Sequence, residues 1–271
     1  MSRSQFLTAV SSLFLVALPA RRWSKTAALL MAGLAIIILV SKTPLYTLVV
    51  QNGAAGLLPK GLPLAGRVIA VDAGHGGYDP GVMRDGLPPE AEINLAVSLF
   101  LREYLEQAGA MVVMMREDDR DLLTPEDEKS GGRRKPKDLA NRVKLAREWG
   151  SQILLSIHVN SFPSPVWSGA QAFYYAPNED SRVLSNLIQD EIARVLANTT
   201  RRPKPMDYYL LREAAIPAAY VEIGFITNPG EAALLTKPEY QRKMAWAVYL
   251  GVLRYFHEGL PSIPPAGSLA A

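Results

Sequence analysis

Cysteine is absent from this sequence of 271 residues. Its absence excludes disulfide bonds, zinc sites with cysteine ligands, iron–sulfur clusters and cysteine nucleophiles. Histidine is nearly as scarce, so a histidine-based metal site or catalytic triad must draw on His75, His158 and His257. The lack of cysteine does not fix the compartment, but it fits an exported protein that needs no oxidative folding.

Acidic residues are missing from the first 50 positions, which hold five basic residues: Arg3, Arg21, Arg22, Lys25 and Lys42. The whole chain has 29 basic and 26 acidic residues. Residues 51–271 therefore hold 24 basic and 26 acidic residues, a net charge of −2. This balance does not indicate a basic nucleic-acid-binding face, and we expect no nucleic-acid partner.

The N-terminal segment is also the most apolar part of the chain. Residues 26–41 contain no charged side chain, and residues 45–50 extend the apolar character. The run is slightly shorter than the usual membrane span of about 17 residues or more. Basic residues before it predict a cytoplasmic N-terminus and an exported body. We therefore predict a membrane anchor or signal region within residues 1–50, with a cleaved signal peptide and a buried helix of a soluble protein as the alternatives.

After a Gly- and Pro-rich linker at 51–65, short apolar runs alternate with segments of helical periodicity. The runs typical of strands are 67–71, 111–115, 153–157, 170–175, 208–211 and 218–221. The helical segments include 93–105, 139–149, 184–195 and 244–256. This alternation predicts a single α/β domain over residues 66–258, followed by a flexible tail at 259–271.

Local signals add boundaries to this pattern. Gly109 is expected to end the first helix of the domain, and Asn178 is expected to cap a later helix. Thr236 and Glu239 predict a capping box. The charged stretch 118–137 is predicted to be a long surface loop.

Four polar residues interrupt the apolar pattern. His75 lies between glycines directly after the first strand, and Glu90 begins the helix that follows. His158 ends an apolar strand, where α/β sheets place their ligands. Glu222 lies inside an apolar strand, where a carboxylate is costly unless it is paired, hydrogen-bonded or next to a metal.

Each of the four residues also has a purely structural interpretation. His75 fits a turn, and an acidic residue such as Glu90 is favourable in any first helical turn. His158 fits a hydrogen-bonded core histidine, and Glu222 fits a buried ion pair. The residues say more together than separately, because two histidines and one carboxylate are a recurring catalytic zinc set with a fourth position open for water. A second carboxylate would then accept the proton of that water.

At these positions the sequence resembles the zinc-dependent N-acetylmuramoyl-L-alanine amidases of bacterial cell walls. The matching segments follow one another in the order of that family and span about residues 66–257. They are VDAGHGG at 71–77, EAEINL at 90–95, SIHVN at 156–160 and VEIGFITNP at 221–229.

The resemblance implies one Zn²⁺ per chain, with His75, Glu90 and His158 as its ligands and Glu222 as the catalytic carboxylate. It implies hydrolysis of the amide between N-acetylmuramic acid and L-alanine in peptidoglycan. The implied fold is a three-layer α/β domain with a central, largely parallel sheet flanked by helices. The segment around Glu90 departs from the family pattern, which leaves Glu92 as a weaker rival ligand.

Three further segments resemble the germination-specific amidase of spore-forming bacteria, and they lie at 167–175, 198–201 and 237–241. This subgroup implies action on the spore cortex, where removal of the stem peptide prepares muramic acid for conversion to muramic-δ-lactam. A muramic acid deacetylase would complete that conversion. The sequence leaves open whether an activator protein is required.

Other residues near the motifs have two interpretations each. Asp72 and Asn160 adjoin the predicted ligands and are candidates for orienting them, with turn hydrogen bonding as the alternative. Arg116 follows a strand and is a candidate for binding substrate carboxylates, with a surface ion pair as the alternative. His257 ends the last helix, where a cation is favourable, and we exclude it from the site.

Two other functions share these sequence features. A zinc peptidase that cuts within the stem peptide would have a similar metal site. A catalytically silent wall-binding or activator module is the second alternative, although a binding module needs no buried base. For all three we expect the domain to lie outside the cytoplasm, on the side of the cell wall or spore cortex.

Overall fold

The computed structural model describes residues 61–258, so the predicted anchor in residues 1–50 and the tail at 259–271 lie outside the described residues. The described strands are β1 (Val68–Ala73), β2 (Met111–Met114), β3 (Ile153–Asn160), β4 (Gln171–Tyr174), β5 (Lys204–Pro205) and β6 (Ala218–Phe225). The helices are α1 (Glu90–Gln107), α2 (Pro125–Lys129), α3 (Arg134–Glu148), α4 (Glu179–Leu196), α5 (Tyr209–Glu213), α6 (Pro229–Leu235) and α7 (Pro238–Glu258). Within residues 61–258, no helix joins the length and the hydropathy that a membrane span requires.

The strands form one sheet in the order β2-β1-β3-β6-β4-β5. The pairs from β2 to β6 are parallel, whereas β4 is antiparallel to β6 and β5 runs parallel to β4. Four of the five strand pairs are parallel, as expected for a largely parallel sheet, and the single antiparallel pair of β4 with β6 makes the sheet mixed. The chain passes from β3 to β4 through an irregular loop without a crossover helix. Since a parallel strand needs a crossover to bring the chain back to the other end of the sheet, β4 runs in the opposite direction.

Helices cover both faces of the sheet. On one face, apolar side chains of β1, β3 and β6 pack with those of α1, α4 and α7 in the larger core. On the other face, a smaller core joins Ala70 and Leu154 of the sheet to Ala146 of α3 and Leu211 of α5. Alternate residues of each strand point to opposite faces, which is why every central strand contributes to both cores.

The smaller elements differ most from the sequence expectations. The predicted loop 118–137 contains α2, capped by Thr124, and the first turn of α3. These turns are highly charged and mostly exposed, so they have no apolar periodicity to signal a helix. The predicted strand 208–211 is α5, because a short apolar run does not distinguish a strand from a buried helical turn.

Two of the three predicted helix boundaries are confirmed. The side chain of Asn178 accepts a hydrogen bond from Ser181 N at 2.9 Å, and Gly109 follows α1 with a φ of 94°. The predicted capping box is wrong. Thr236 is instead the C-cap residue of α6, and its hydroxyl donates a hydrogen bond to Ala233 O.

Candidate active site

The predicted site residues meet at the carboxyl ends of three neighbouring strands. His75 follows β1, while His158 lies near the end of β3 and is the register partner of Glu222 in β6. Glu90 is the first residue of α1. Parallel strands that end at one edge bring together residues distant in sequence, which the spacing of the motifs does not show.

The two histidines approach each other closely because the chain has glycine at position 74. Their ring centroids lie 5.0 Å apart. A Cβ added to Gly74 would lie 2.1 Å from Cε1 of His158, so any larger residue would displace that ring. His75 itself has a φ of 65°, an uncommon backbone conformation for a residue with a side chain.

Glu90 lies between the two histidines and is almost fully buried. Its Oε1 is 3.2 Å from Nε2 of His75 and 3.2 Å from Nδ1 of His158. The same oxygen accepts hydrogen bonds from the backbone nitrogen of Val159 and from the amide of Asn94. Burial by itself would raise the pKa of Glu90, but hydrogen bonds from both histidines lower it well below its usual range.

The two imidazoles have different surroundings. His158 is buried and its ring stacks on Tyr220 with centroids 4.0 Å apart. Burial lowers the pKa of His158, which favours the neutral form that binds metals. Burial acts in the same direction on His75, but Glu90 and Asp79 outweigh it and raise the pKa of His75.

His75, Glu90 and His158 fit a divalent cation. One potential ligand atom from each residue lies within 4.8 Å of the others, and this is the one such cluster within residues 61–258. Ligands bound at about 2.0–2.1 Å to a tetrahedral zinc ion are about 3.3–3.4 Å apart, close to the separations between Glu90 Oε1 and the two histidines. The buried Nε2 of His158 has no hydrogen-bond partner among the described residues. Glu92, the rival ligand, is exposed and outside the cluster.

Glu222 is buried beside this cluster, and no charged side chain of the described residues pairs with it. The residue is 8% exposed, and its Oε2 has no hydrogen-bond partner within residues 61–258. Burial, and to a lesser degree the negative charge of Glu90, raise the pKa of Glu222 to about 8. A carboxyl group that exchanges its proton near neutral pH suits general acid–base chemistry.

Two buried arginines hold the turn that carries His75. Arg116 donates to the carbonyl oxygens of Ala73 and Gly74 at 2.8 and 2.9 Å. Arg142 donates to the carbonyl oxygens of Ala73 and His75 at 3.1 and 2.8 Å. These bonds satisfy backbone oxygens that the irregular turn leaves outside regular secondary structure.

Arg116 is therefore not the carboxylate-binding residue that the sequence suggested. The residue is fully buried, and its guanidinium also donates to the carbonyl oxygens of Ala91 and Asp118. No part of this side chain is available to a substrate or to a surface ion pair. Arg116 instead connects the His75 turn to the start of α1.

Asp72 acts on the site indirectly. It is fully buried, lies 2.6 Å from Nη1 of Arg142 and accepts a hydrogen bond from the hydroxyl of Ser156 at 2.6 Å. Burial raises the pKa of Asp72, but Arg142, His158 and Ser156 together lower it below its ordinary value. Asp72 thus fixes Arg142, which in turn holds the backbone of His75.

Asn160 makes no side-chain hydrogen bond to His158 in the part of the chain that the structure describes. Its backbone carbonyl accepts a hydrogen bond from Ile226 at 2.9 Å, which ties the end of β3 to the chain after β6. The side chain is half-buried. An orienting role for Asn160 stays a prediction.

Sequence reasoning missed two residues that touch the predicted ligands. The amide of Asn94 donates to Gly74 O at 3.2 Å and to Glu90 Oε1 at 3.3 Å. Asp79 Oδ2 lies 2.9 Å from Nδ1 of His75. Asn94 could have been found from its spacing, because residues four apart on a helix share a face and Asn94 lies four residues after Glu90. Asp79 lies in an irregular turn, where spacing carries no such information.

The chain is similar to known cell-wall amidases over the range that contains the site. The family model described as N-acetylmuramoyl-L-alanine amidase matches residues 69–254. The germination-specific N-acetylmuramoyl-L-alanine amidase of Bacillus subtilis (strain 168) is 46% identical over 201 residues, which cover 74% of this chain and 84% of that protein.

Two solved structures have the same fold. The CwlD amidase from Clostridioides difficile, in complex with the GerS lipoprotein, superposes with a TM-score of 0.67 at 40% identity and covers 70% of this chain and 98% of that one. The catalytic domain of CwlV, an N-acetylmuramoyl-L-alanine amidase from Bacillus (Paenibacillus) polymyxa var. colistinus, gives a TM-score of 0.61 at 28% identity, with coverage of 70% and 98%.

Proposed function

Because the chain belongs to the N-acetylmuramoyl-L-alanine amidase family, we propose that it hydrolyses the amide between N-acetylmuramic acid and L-alanine in peptidoglycan with one bound zinc ion. The observation that carries this proposal is the convergence of His75, Glu90 and His158 beside the unpaired carboxyl of Glu222.

His75, Glu90 and His158 would hold the zinc ion. Zinc in such a site lowers the pKa of a bound water and polarises a carbonyl oxygen. Asn94 and Asp79 orient the carboxylate of Glu90 and the ring of His75 through the contacts described above. Neighbours that fix ligand orientation in this way contribute substantially to metal affinity.

Glu222 would carry the proton through the reaction. Its carboxylate accepts a proton from the water that attacks the lactyl carbonyl carbon. The carbon–nitrogen bond then breaks, and Glu222 returns the proton to the departing amine of L-alanine. The raised pKa of Glu222 suits both transfers, because the group can hold and release a proton near neutral pH.

We further propose that the substrate is spore-cortex peptidoglycan and that the products lead to muramic-δ-lactam, which germination requires. The 46% identity to a germination-specific amidase supports this role. The conversion also needs a muramic acid deacetylase. The complex of the CwlD amidase with the GerS lipoprotein supports a protein partner for this chain, and we propose that such a partner would activate it. The catalytic domain would work outside the cytoplasm, held to the membrane through residues 1–50.

The direct test is to incubate the full chain with purified peptidoglycan and with spore cortex, with and without a chelator, and to identify the products by mass spectrometry. We expect free stem peptides and bare muramoyl glycan, lost on chelation and restored by zinc. Shortened peptides still attached to glycan would contradict the proposal in favour of a peptidase. Intact substrate in the presence of zinc would point first to a missing activating partner. Intact substrate after sporulating-cell extract is added would favour a silent wall-binding module.

A further inference from the structure

A polar groove lies along the loop before β4 and the segment that follows α4. It has a volume of about 580 Å³, and its lining includes Trp167, Asn198, Thr199 and Arg201. Trp167 is 45% exposed, although tryptophan normally buries most of its ring. None of these residues takes part in the chemistry described above.

Arg201 connects this groove to the catalytic strand. Its Nη1 lies 3.4 Å from Oε1 of Gln171. Gln171 in β4 is the register partner of Glu222 in β6. Because directly opposed residues of antiparallel strands point to the same face, the guanidinium lies on the face of the sheet that carries Glu222.

The guanidinium of Arg201 is held in place, and no acidic side chain among the described residues pairs with it. Its Nε donates to Ser168 O at 2.8 Å, and its Cζ lies 5.4 Å from the centroid of Trp167 and 5.0 Å from that of Phe225. Within residues 61–258, its side chain forms hydrogen bonds only with uncharged oxygens. The next residue, Arg202, is 84% exposed and lies 3.7 Å from Asp190.

A fixed guanidinium without an acidic partner is suited to a carboxylate ligand. Its planar array of donors matches the two oxygens of a carboxylate, and aromatic neighbours strengthen the interaction by excluding water. The stem peptide carries a free carboxylate on the residue after L-alanine. An extended peptide spans about 3.3–3.6 Å per residue, so this group lies roughly 7 Å beyond the scissile amide.

We propose that Arg201 binds the first free carboxylate of the stem peptide after L-alanine and thereby positions the scissile amide at Glu222. This inference rests on the proposed function and adds a specificity-determining residue to it. Arg116, which the sequence suggested for this role, is buried behind the His75 turn.

The test compares two substrates that differ in one group. They are N-acetylmuramoyl-L-alanyl-D-glutamate, which has a free α-carboxylate, and N-acetylmuramoyl-L-alanyl-D-isoglutamine, in which the α-carboxylate is an amide. Both keep the γ-carboxylate, so only the α group differs. For the full chain with zinc, we expect kcat/KM to favour the acid by about 10- to 100-fold, mainly through KM.

Substitutions then assign the preference to Arg201. Arg201→Gln should slow cleavage of the acid to the rate of the amide and leave the amide rate unchanged. Arg201→Lys should keep part of the preference, because lysine retains the charge without the planar array of donors. Arg202→Gln is the matched control and should keep the full preference.

Three outcomes would overturn the inference. A wild-type enzyme that cleaves both substrates equally would contradict it and leave the proposed function intact. An Arg201→Gln variant that is slowed equally on both substrates would show a structural role only. A wild-type enzyme that cleaves neither muramoyl amide, even after sporulating-cell extract is added to supply the activating partner, would refute the proposed function, and this inference with it.

Discussion

The geometry of the ligand cluster depends on single residues that are neither predicted metal ligands nor the predicted base. Gly74 has an ordinary backbone conformation, and its importance is purely steric, because the ring of His158 occupies the space where a Cβ would lie. The amide of Asn94 holds both the backbone of Gly74 and the carboxylate of Glu90. The site is so closely packed that one added methyl group would displace a predicted ligand.

Gly74→Ala should therefore displace His158 and remove the bound metal. We expect the free energy of unfolding to fall by about 1–3 kcal/mol, as for other overpacked interiors. Metal content by elemental analysis and unfolding in urea would measure both effects. Gly230→Ala is the control, because within 4 Å its added Cβ would meet only Oδ1 of Asn228, at 3.3 Å. Normal metal content in Gly74→Ala would contradict this account.

Site residues that break an apolar pattern could be predicted from the sequence, whereas site residues in ordinary polar positions were missed. Glu222 and His158 stand out because a buried polar group needs a reason to be there. Asn94 lies on a helix where an asparagine causes no conflict, and Asp79 lies in a turn where an aspartate is ordinary. Contacts of this kind depend on how distant segments fold together, which no local pattern records.

At the scale of elements, α3 is joined to the site by one buried ion cluster. Arg142 of α3 lies 2.6 Å from Asp72 in β1 and 3.0 Å from Asp138 on its own helix. Both acids are buried. The charged first turn of α3, which the sequence presented as loop, therefore begins the helix that supports the His75 turn.

Arg142→Met should destabilise the fold by about 3–5 kcal/mol, because it leaves two buried carboxylates without their partner. The free energy of unfolding from urea titration would show the loss. Lys144→Met, on the same helix but 69% exposed, is the matched control and should change stability little. A change of less than 1 kcal/mol in Arg142→Met would contradict the structural role given to the cluster.

The same variant should change how stability depends on pH. Arg142 and Ser156 lower the pKa of Asp72 in the folded protein, so ionised Asp72 stabilises the fold above its unfolded pKa of about 3.9. That contribution is lost as the pH falls below this value. The difference in stability between wild type and Arg142→Met should therefore be largest near pH 7 and shrink below about pH 4. A difference that is constant from pH 7 to pH 3 would contradict this assignment.

The features that the sequence did not reveal have separate physical reasons. In α5 the apolar run is too short to show a period, and in α2 no apolar residue is buried. The direction of β4 depends on the path of the chain after β3, which is a property of the sheet and not of the strand. Long elements such as α1 and α7 repeat their period often enough to be identified.

Over the whole molecule, the three predicted ligands come from separate segments: a turn, a helix and a strand. A cation that binds all three stabilises the native state and has no comparable site in the unfolded chain. Zinc binding should therefore be visible as global stability. Occupation of the predicted site and the free energy of unfolding are therefore coupled.

Zinc at about 1,000 times its dissociation constant should raise the free energy of unfolding by about 4 kcal/mol. Thermal unfolding with and without a chelator would show this as a higher Tm in zinc. His75→Ala should abolish the rise. His257→Ala, which removes an exposed histidine at the end of α7, should keep it. A rise that survives in His75→Ala would place the cation elsewhere.

The central claim is that His75, Glu90 and His158 hold the metal while Glu222 moves the proton, and one pair of variants tests it most directly. Turnover of peptidoglycan and zinc content would be measured together in Glu222→Gln and Glu90→Gln. We predict that Glu222→Gln keeps about one zinc per chain and loses at least about a hundredfold in rate, whereas Glu90→Gln loses both. Full activity in Glu222→Gln, or loss of zinc from it, would contradict the account.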